Sequence, residues 1–280
     1  MKAVRVMKPE ELKVIDVEKP VIDKQNNVLV KMKAAGICGS DVGIYHGTNA
    51  AATYPRIIGH EIVGVIEEVG ENVKSLKPGD RVIVDQVVSC GECYACRKGR
   101  GNVCGSGVHI DGGYEEYLTV PEQDCYLLPE KLSDVEAVMI EPTTIAIQSC
   151  SRAELCEEDT LLILGYGALG SSILKIARLS GAKIIVADVI EEKLHEALKN
   201  GADYVINIAQ EDVIEKVKEL TAGYGVTVSI DAACVNDSLL TLLKATGNAG
   251  RVITMGFAVE PTEINQFLIT SKELDVRGSR

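Results

Sequence analysis

The sequence predicts an α/β chain in two parts, with a β-rich first half and a doubly wound parallel sheet in the second. Three observations carry this. From Asp159 onward, apolar runs of strand length alternate with amphipathic or charge-rich runs of helix length. Regular alternation of that kind builds a parallel sheet with helices on both faces. Before about residue 145 the apolar runs are instead short and bounded by Gly, Pro, Asn or Asp, as in a β-rich fold with irregular loops. The second half opens on Leu161–Asp188, LLILGYGALGSSILKIARLSGAKIIVAD, a strand, glycine turn, helix and second strand in series.

That stretch is the unit that cradles a pyrophosphate. Gly165 makes the turn, Gly167 lets the backbone approach the phosphates, and Gly170 lets the helix pack close to the sheet. Gly165, Gly167, Ala168, Leu169 and Gly170 are thus the candidate cofactor contacts, with the free amides of the helix's first turn facing negative charge. Asp188 lies 23 residues beyond Gly165, where a carboxylate can accept from both ribose hydroxyls of an adenosine. With Glu191 and Glu192 behind it, it would repel a 2′-phosphate, so the cofactor reads as NAD rather than NADP. The alternation then continues: helix Glu191–Asn200, strand Tyr204–Asn207, helix Glu211–Thr221, strand Thr227–Ala232, helix Asp237–Thr246, strand Arg251–Met255 and a last strand near Glu273–Gly278. The charge-rich helices among these read as solvated outer faces.

Length and composition bound the rest. The 280 residues suit about two domains. Hydrophobic residues at 46% are ample for real cores, and no apolar run approaches the roughly 20 residues of a membrane span. The N-terminus alternates like a strand and lacks a signal peptide's apolar core. The net charge of −12 repels phosphate backbones and argues against a nucleic-acid partner. Nine cysteines in a chain that reads as cytoplasmic point to metal or buried thiols, not to a disulfide framework.

In the first half, strand candidates are Lys2–Val6, Leu12–Val17, Asn27–Ala35, Glu61–Val69, Arg81–Val84 and Tyr114–Val120. Lys77-Pro78-Gly79-Asp80 is a turn, since Pro presets φ and Gly takes the positive φ that follows. The sharpest chemical signal is Cys90-x2-Cys93-x2-Cys96-x7-Cys104. Four thiolates this close can close a tetrahedron around zinc with every position filled by protein, which makes a structural site. An iron–sulfur cluster or a set of redox cysteines is the alternative. The metal would hold a lobe with little apolar content of its own.

A second constellation is sparser. Cys38-Gly39-Ser40-Asp41 follows a strand, Gly59-His60-Glu61 precedes another, and Glu141-Pro142 closes the β-rich half. One thiolate, one imidazole and one carboxylate, with a fourth place open, is the donor pattern of a catalytic zinc. Each also has an ordinary reading: a small core cysteine, a satisfied histidine, a helix start. Spacing along the chain does not bring them together.

GHEIVGVIEEVGENV, the four-cysteine loop, Cys38-Gly39-Ser40-Asp41 and the nucleotide fingerprint occur in the order seen in the zinc-dependent medium-chain alcohol dehydrogenases, which this sequence resembles over its whole length. The resemblance implies a GroES-like catalytic zinc domain over residues 1–145 and a Rossmann NAD-binding domain over 146–280. Within the family, Gly39, Glu61 and Glu141-Pro142 resemble the polyol, sugar-acid and threonine dehydrogenase branch. YPRIIGHE, GVHIDGGYEEYLTVP and ELDVRGSR are most similar to dehydrogenases of aldonic acids such as L-gulonate or L-galactonate. It further implies Cys38 and His60 as catalytic zinc ligands with Glu61 or Glu141 as the third, and Asp41 orienting His60 from behind. Lys193 matches a basic position that touches the adenosine ribose. Two departures stand out. A relay histidine five residues after the Cys ligand is replaced by Gly43, with His46 nearby but not equivalent. Family chains also continue past the ELDVRGSR-like strand and re-enter the catalytic domain, a return this sequence, ending at Arg280, is expected to lack.

The implied reaction oxidises a secondary hydroxyl to a ketone. Zinc acts as a Lewis acid, Ser40 takes the hydroxyl proton, and NAD accepts the hydride. Arg280 could grip a substrate carboxylate. L-Threonine 3-dehydrogenase is the near rival, and an NAD-binding protein that keeps zinc only for folding is the rival of another class. Family members suggest a homodimer or homotetramer. His109, His195, Cys125, Cys150, Cys156 and Cys234 read as structural.

Overall fold

The computed structural model describes residues 1–49, 52–110, 112–256 and 260–280, with the backbone alone for Val108 and His109. The side chain of His109 therefore lies outside the described residues. The chain divides into two compact units, Met1–Glu141 and Pro142–Arg280.

The first unit runs β1 (Lys2–Lys8), β2 (Glu11–Asp16), β3 (Asn27–Ala35), α1 (Gly39–His46), β4 (Arg56–Ile57), β5 (Ile62–Val69), β6 (Arg81–Val84), β7 (Val87–Val88), α2 (Tyr94–Arg97), β8 (Val108–His109), β9 (Tyr117–Pro121), β10 (Cys125–Leu127) and α3 (Asp134–Val138). Its main sheet is antiparallel, in the order β10-β6-β5-β3-β9, beside a smaller sheet β2-β1-β4. Alternation along β5 and β6 sends side chains to two cores. Ile62, Ile66, Val82 and Val84 join Val28, Val30 and Val120 on one face. Val63 and Ile83 meet Ala137 and Val138 on the other.

Five of the six expected strands sit within two residues of their predicted bounds. The sixth begins late, at Tyr117. The chain first bridges β1 through Glu115 and Ala3, and the Tyr114 amide donates to Ile58 O, so residues 114 and 115 serve different neighbours from β9. The first half is β-rich as expected, with short helices between its strands. Helix α1 escaped because Gly39 and Gly43 each cost about 1 kcal/mol relative to Ala and only Asp41 and Ile44 in it are buried, which leaves no apolar stripe.

Glu115 carries a pH signature. Burial pushes its carboxyl up to about 7 despite Arg5 nearby. The folded chain therefore keeps a proton that the unfolded chain releases near pH 4.5, and stability falls as pH rises from 4.5 to 7. Glu115→Gln is expected to gain about 1 kcal/mol at pH 8, allowing for partial exposure, and nothing at pH 4. Denaturant melts at the two pH values check this.

Helix α4 (Ile140–Ala153) leads into the second unit: β11 (Thr160–Leu164), α5 (Ala168–Ala177), β12 (Lys183–Asp188), α6 (Glu191–Lys199), β13 (Tyr204–Asn207), α7 (Val213–Leu220), β14 (Val226–Asp231), α8 (Ser238–Ala245), β15 (Thr246–Thr254), α9 (Phe267–Thr270) and β16 (Asp275–Gly278). The six strands are parallel in the order β13-β12-β11-β14-β15-β16. Leu161 and Ile163 face one core and Leu162 and Leu164 the other, so the sheet is covered on both sides. The strand order reverses between β11 and β14, and at that switch point a dinucleotide lies across the carboxyl ends of the strands.

Candidate active site and metal centres

The first unit brings together residues that are far apart in sequence. Cys38 sits at the N-terminus of α1, and His60 and Glu61 lie just ahead of β5. One ligand atom from each lies within 4.8 Å of the others. Donors sharing a tetrahedral zinc stand roughly 3.3 to 3.8 Å apart, so closing on an ion needs shifts of about 1 Å at most. Burial pushes the Cys38 thiol up, but hydrogen bonds from His60 and Ser40 outweigh it and hold the thiol below its usual range. Burial works against the His60 cation too, yet Cys38 beside it raises the imidazole to about 9. A thiolate paired with an imidazole is the donor set that a divalent cation takes by displacing a proton.

Glu61 is buried at 7% exposure, and burial raises its carboxyl. Glu141, the other candidate, is pushed up to about 7 by burial, against the pull of His60. Its Oε1 accepts from Gln86 Nε2 at 2.6 Å. Glu61 offers a carboxylate oxygen within 4.8 Å of both Cys38 and His60, and Glu141 is close enough for His60 to pull its carboxyl down. Ser40 is exposed on the first turn of α1. His46, at the far end of that helix, pairs with Glu10 at 2.6 Å.

The four cysteines also converge. Cys90 and Cys104 sulfurs lie 3.4 Å apart, Cys93 and Cys96 3.5 Å, Cys93 and Cys104 3.8 Å, and Cys90 and Cys96 4.0 Å. A tetrahedron of thiolates about 2.3 Å from zinc has edges of about 3.8 Å. The amides of Cys93 and Cys90 donate to sulfurs of Cys90 and Cys104, each at 3.4 Å. From Asp85 to Gly107 no residue is buried, so the lobe has no core except what the thiolates can hold.

In the second unit, Gly165 has φ +96, and a Cβ there would stand 2.7 Å from Ala233 N. A Cβ on Gly170 would meet Gly165 O at 2.1 Å, whereas at Gly167 it would meet nothing within 4 Å. The three glycines thus divide into turn, open approach and close packing. Gly167 caps α5, which begins at Ala168 and Leu169. Asp188 is committed further than expected: Oδ2 accepts from Tyr166 N at 2.6 Å and Oδ1 from Ile190 N at 3.0 Å. It ties the glycine loop to β12, and each oxygen keeps a lone pair for a ribose hydroxyl. Lys193 is half-buried on α6, and Arg280 is exposed in the second unit, beyond β16.

Residues 24–130 match the model of the alcohol dehydrogenase GroES-like domain and residues 168–280 that of the zinc-binding dehydrogenase. The starvation-sensing protein RspB of Escherichia coli K12 is 44% identical over 286 residues, covering 100% of this chain and 84% of that protein. The chain belongs to the zinc-type alcohol dehydrogenase family. An L-threonine 3-dehydrogenase of Pyrococcus furiosus is 37% identical over 99% of this chain and 82% of its own length. A sorbitol dehydrogenase of Bacillus subtilis is 34% identical over 99% and 81%. An alcohol dehydrogenase from Escherichia coli CFT073, solved with NADH, superposes with a TM-score of 0.92 at 43% identity, covering 100% of this chain and 83% of that one.

Several residues that shape the Cys38 cluster gave no signal in the sequence. Gly36 is one: a Cβ on it would stand 1.7 Å from Glu61 Oε2 and 2.8 Å from Val138 Cγ1. Only glycine leaves the Glu61 carboxylate its place. Gly36→Ala is expected to push that carboxylate off the cluster and weaken metal binding there about 10-fold or more, with little change at the four cysteines. Titration of the metal-free protein with zinc, read at both sites, checks it. Gln86, on Glu141, is another such residue.

Proposed function

We propose that this chain oxidises a secondary hydroxyl of a polyol or sugar acid to the ketone, with NAD as hydride acceptor. The family makes it a zinc-binding, NAD(P)-dependent oxidoreductase acting on a small molecule. The observation that carries the reading is the convergence of Cys38, His60 and Glu61. When bound, zinc lowers the pKa of a substrate hydroxyl by several units and the nicotinamide accepts hydride.

The chain's own groups do the rest. Cys38, His60 and Glu61 would hold the metal and leave a fourth position for substrate, with Glu141 beside them as an alternative donor. Ser40 would take the hydroxyl proton and pass it toward the nicotinamide ribose. With Gly43 in the relay position and His46 held by Glu10, no imidazole of α1 would follow it. The glycine loop and the first turn of α5 would cradle the pyrophosphate. Asp188 with Glu191 and Glu192 favours NAD over NADP, Lys193 would touch the adenosine ribose, and Arg280 would bind a substrate carboxylate. The four cysteines would hold a structural zinc. A homodimer or homotetramer is the assembly that family likeness favours, and cysteines spaced for metal rather than for disulfides favour the cytoplasm.

The test is NADH formation with L-gulonate, L-galactonate, sorbitol and L-threonine, with and without chelator. Turnover of a sugar acid or of sorbitol that chelator abolishes is expected. Turnover of threonine alone would favour the second reading, which the Pyrococcus relative supports. No turnover, with only one zinc per chain, would leave an NAD-binding protein.

A further inference from the structure

We propose that Tyr114 is a positioning residue for the metal site, acting through Asp41 and the turn that carries His60. This rests on the reading that Cys38, His60 and Glu61 hold a metal. Asp41 is 3% exposed and gathers donors from each ligand-bearing segment. Its Oδ2 accepts from the Cys38 amide at 3.0 Å and its Oδ1 from the Gly59 amide at 3.2 Å. That same Oδ1 lies 3.7 Å from His60 Nδ1. The Tyr114 hydroxyl stands 2.9 Å from Asp41 Oδ2 and 2.8 Å from Gly36 O, and donates to either.

The ring does a second job. Gly59 has φ +96, and a Cβ on it would lie 2.5 Å from Tyr114 Cδ1. The phenol therefore packs flush on the backbone immediately before His60. Two backbone bonds lock this contact: Tyr114 N to Ile58 O at 3.0 Å and Gly113 N to Gly59 O at 2.9 Å. One side chain thus touches Gly36 at the end of β3, Asp41 in α1 and Gly59 ahead of β5. Those are the segments that set Glu61, Cys38 and His60. An outer carboxylate that orients a ligating histidine needs its own orientation fixed, and the phenol supplies it.

The experiment titrates metal-free wild type, Tyr114→Phe, Asp41→Asn and the double variant with Co²⁺, reading d–d bands and binding isotherms at both sites. Tyr114→Phe keeps the ring on Gly59 and removes only the hydroxyl. Binding at the Cys38 site is expected to weaken about 10- to 100-fold, with a changed d–d spectrum there. The four-cysteine site should be unchanged, and the effect should not add to that of Asp41→Asn. Unchanged affinity and spectrum at the Cys38 site, or equal loss at both sites, would overturn the role of Tyr114. Binding of one metal ion by the wild type would instead sink the underlying reading of Cys38, His60 and Glu61.

Discussion

Replacing Cys38 by Ser is expected to lower kcat/KM by about 10³-fold or more, with NAD affinity unchanged. The reason lies in how few donors the site has. Three protein groups converge there, and the fourth place must stay open for substrate. Serine's hydroxyl is a far poorer anion than a thiolate that His60 and Ser40 already hold below its usual range. Loss of that donor would leave His60 with the carboxylates of Glu61 and Glu141, and the Lewis acidity that the proposed reaction draws on would fall with the hold on the ion. The glycine loop lies in the other compact unit, so nucleotide binding is the internal control. Steady-state kinetics together with NADH fluorescence separate the two effects. Equal losses in kcat/KM and in NADH affinity would point to misfolding rather than to the metal site.

Replacing Cys93 by Ser is expected to unfold the lobe between Asp85 and Gly107 while sparing the sheet of the second unit. No residue of that lobe is buried, so burial of apolar surface contributes little there. Closing four thiolates on zinc in small peptides is worth about 10 to 16 kcal/mol at neutral pH. A site with three thiolates keeps only part of that, and what else orders the lobe is short backbone pairing, chiefly β7 with β8 and the single turn of α2. Arg97, Lys98 and Arg100 are exposed in it. Limited trypsin digestion is therefore expected to cut the variant there many times faster than wild type, and chelator should make wild type behave alike. Resistance of the variant to cleavage would mean that the four sulfurs do not carry the lobe.

What could be read from the sequence tracks how local each feature is. The glycine loop and the four cysteines are each built within a short run of chain, so the spacing that made them recognisable also makes their geometry. The alternation of the second half works the same way, because each parallel strand and its crossover helix are consecutive. The Cys38 cluster is different. Its parts come from residues 36 to 41, 59 to 61, 114 and 141, brought together by antiparallel pairing of β3 with β5 and by the Glu115 bridge to β1. Family resemblance alone could nominate Cys38, His60 and the glutamates. Tyr114, Gly36 and Gln86 had no such nomination, since a tyrosine, a glycine and a glutamine in a β-rich half have many ordinary uses. Helix α1 was missed because its stability comes from Asp41 and neighbouring packing rather than from an apolar stripe.

Zinc counted per chain, in wild type and in His60→Ala, tests the central claim most directly. About two ions per wild-type chain are expected, falling to about one in the variant, with the four-cysteine ion retained. One ion in both would contradict a metal held by Cys38, His60 and Glu61, and the dehydrogenase chemistry built on it.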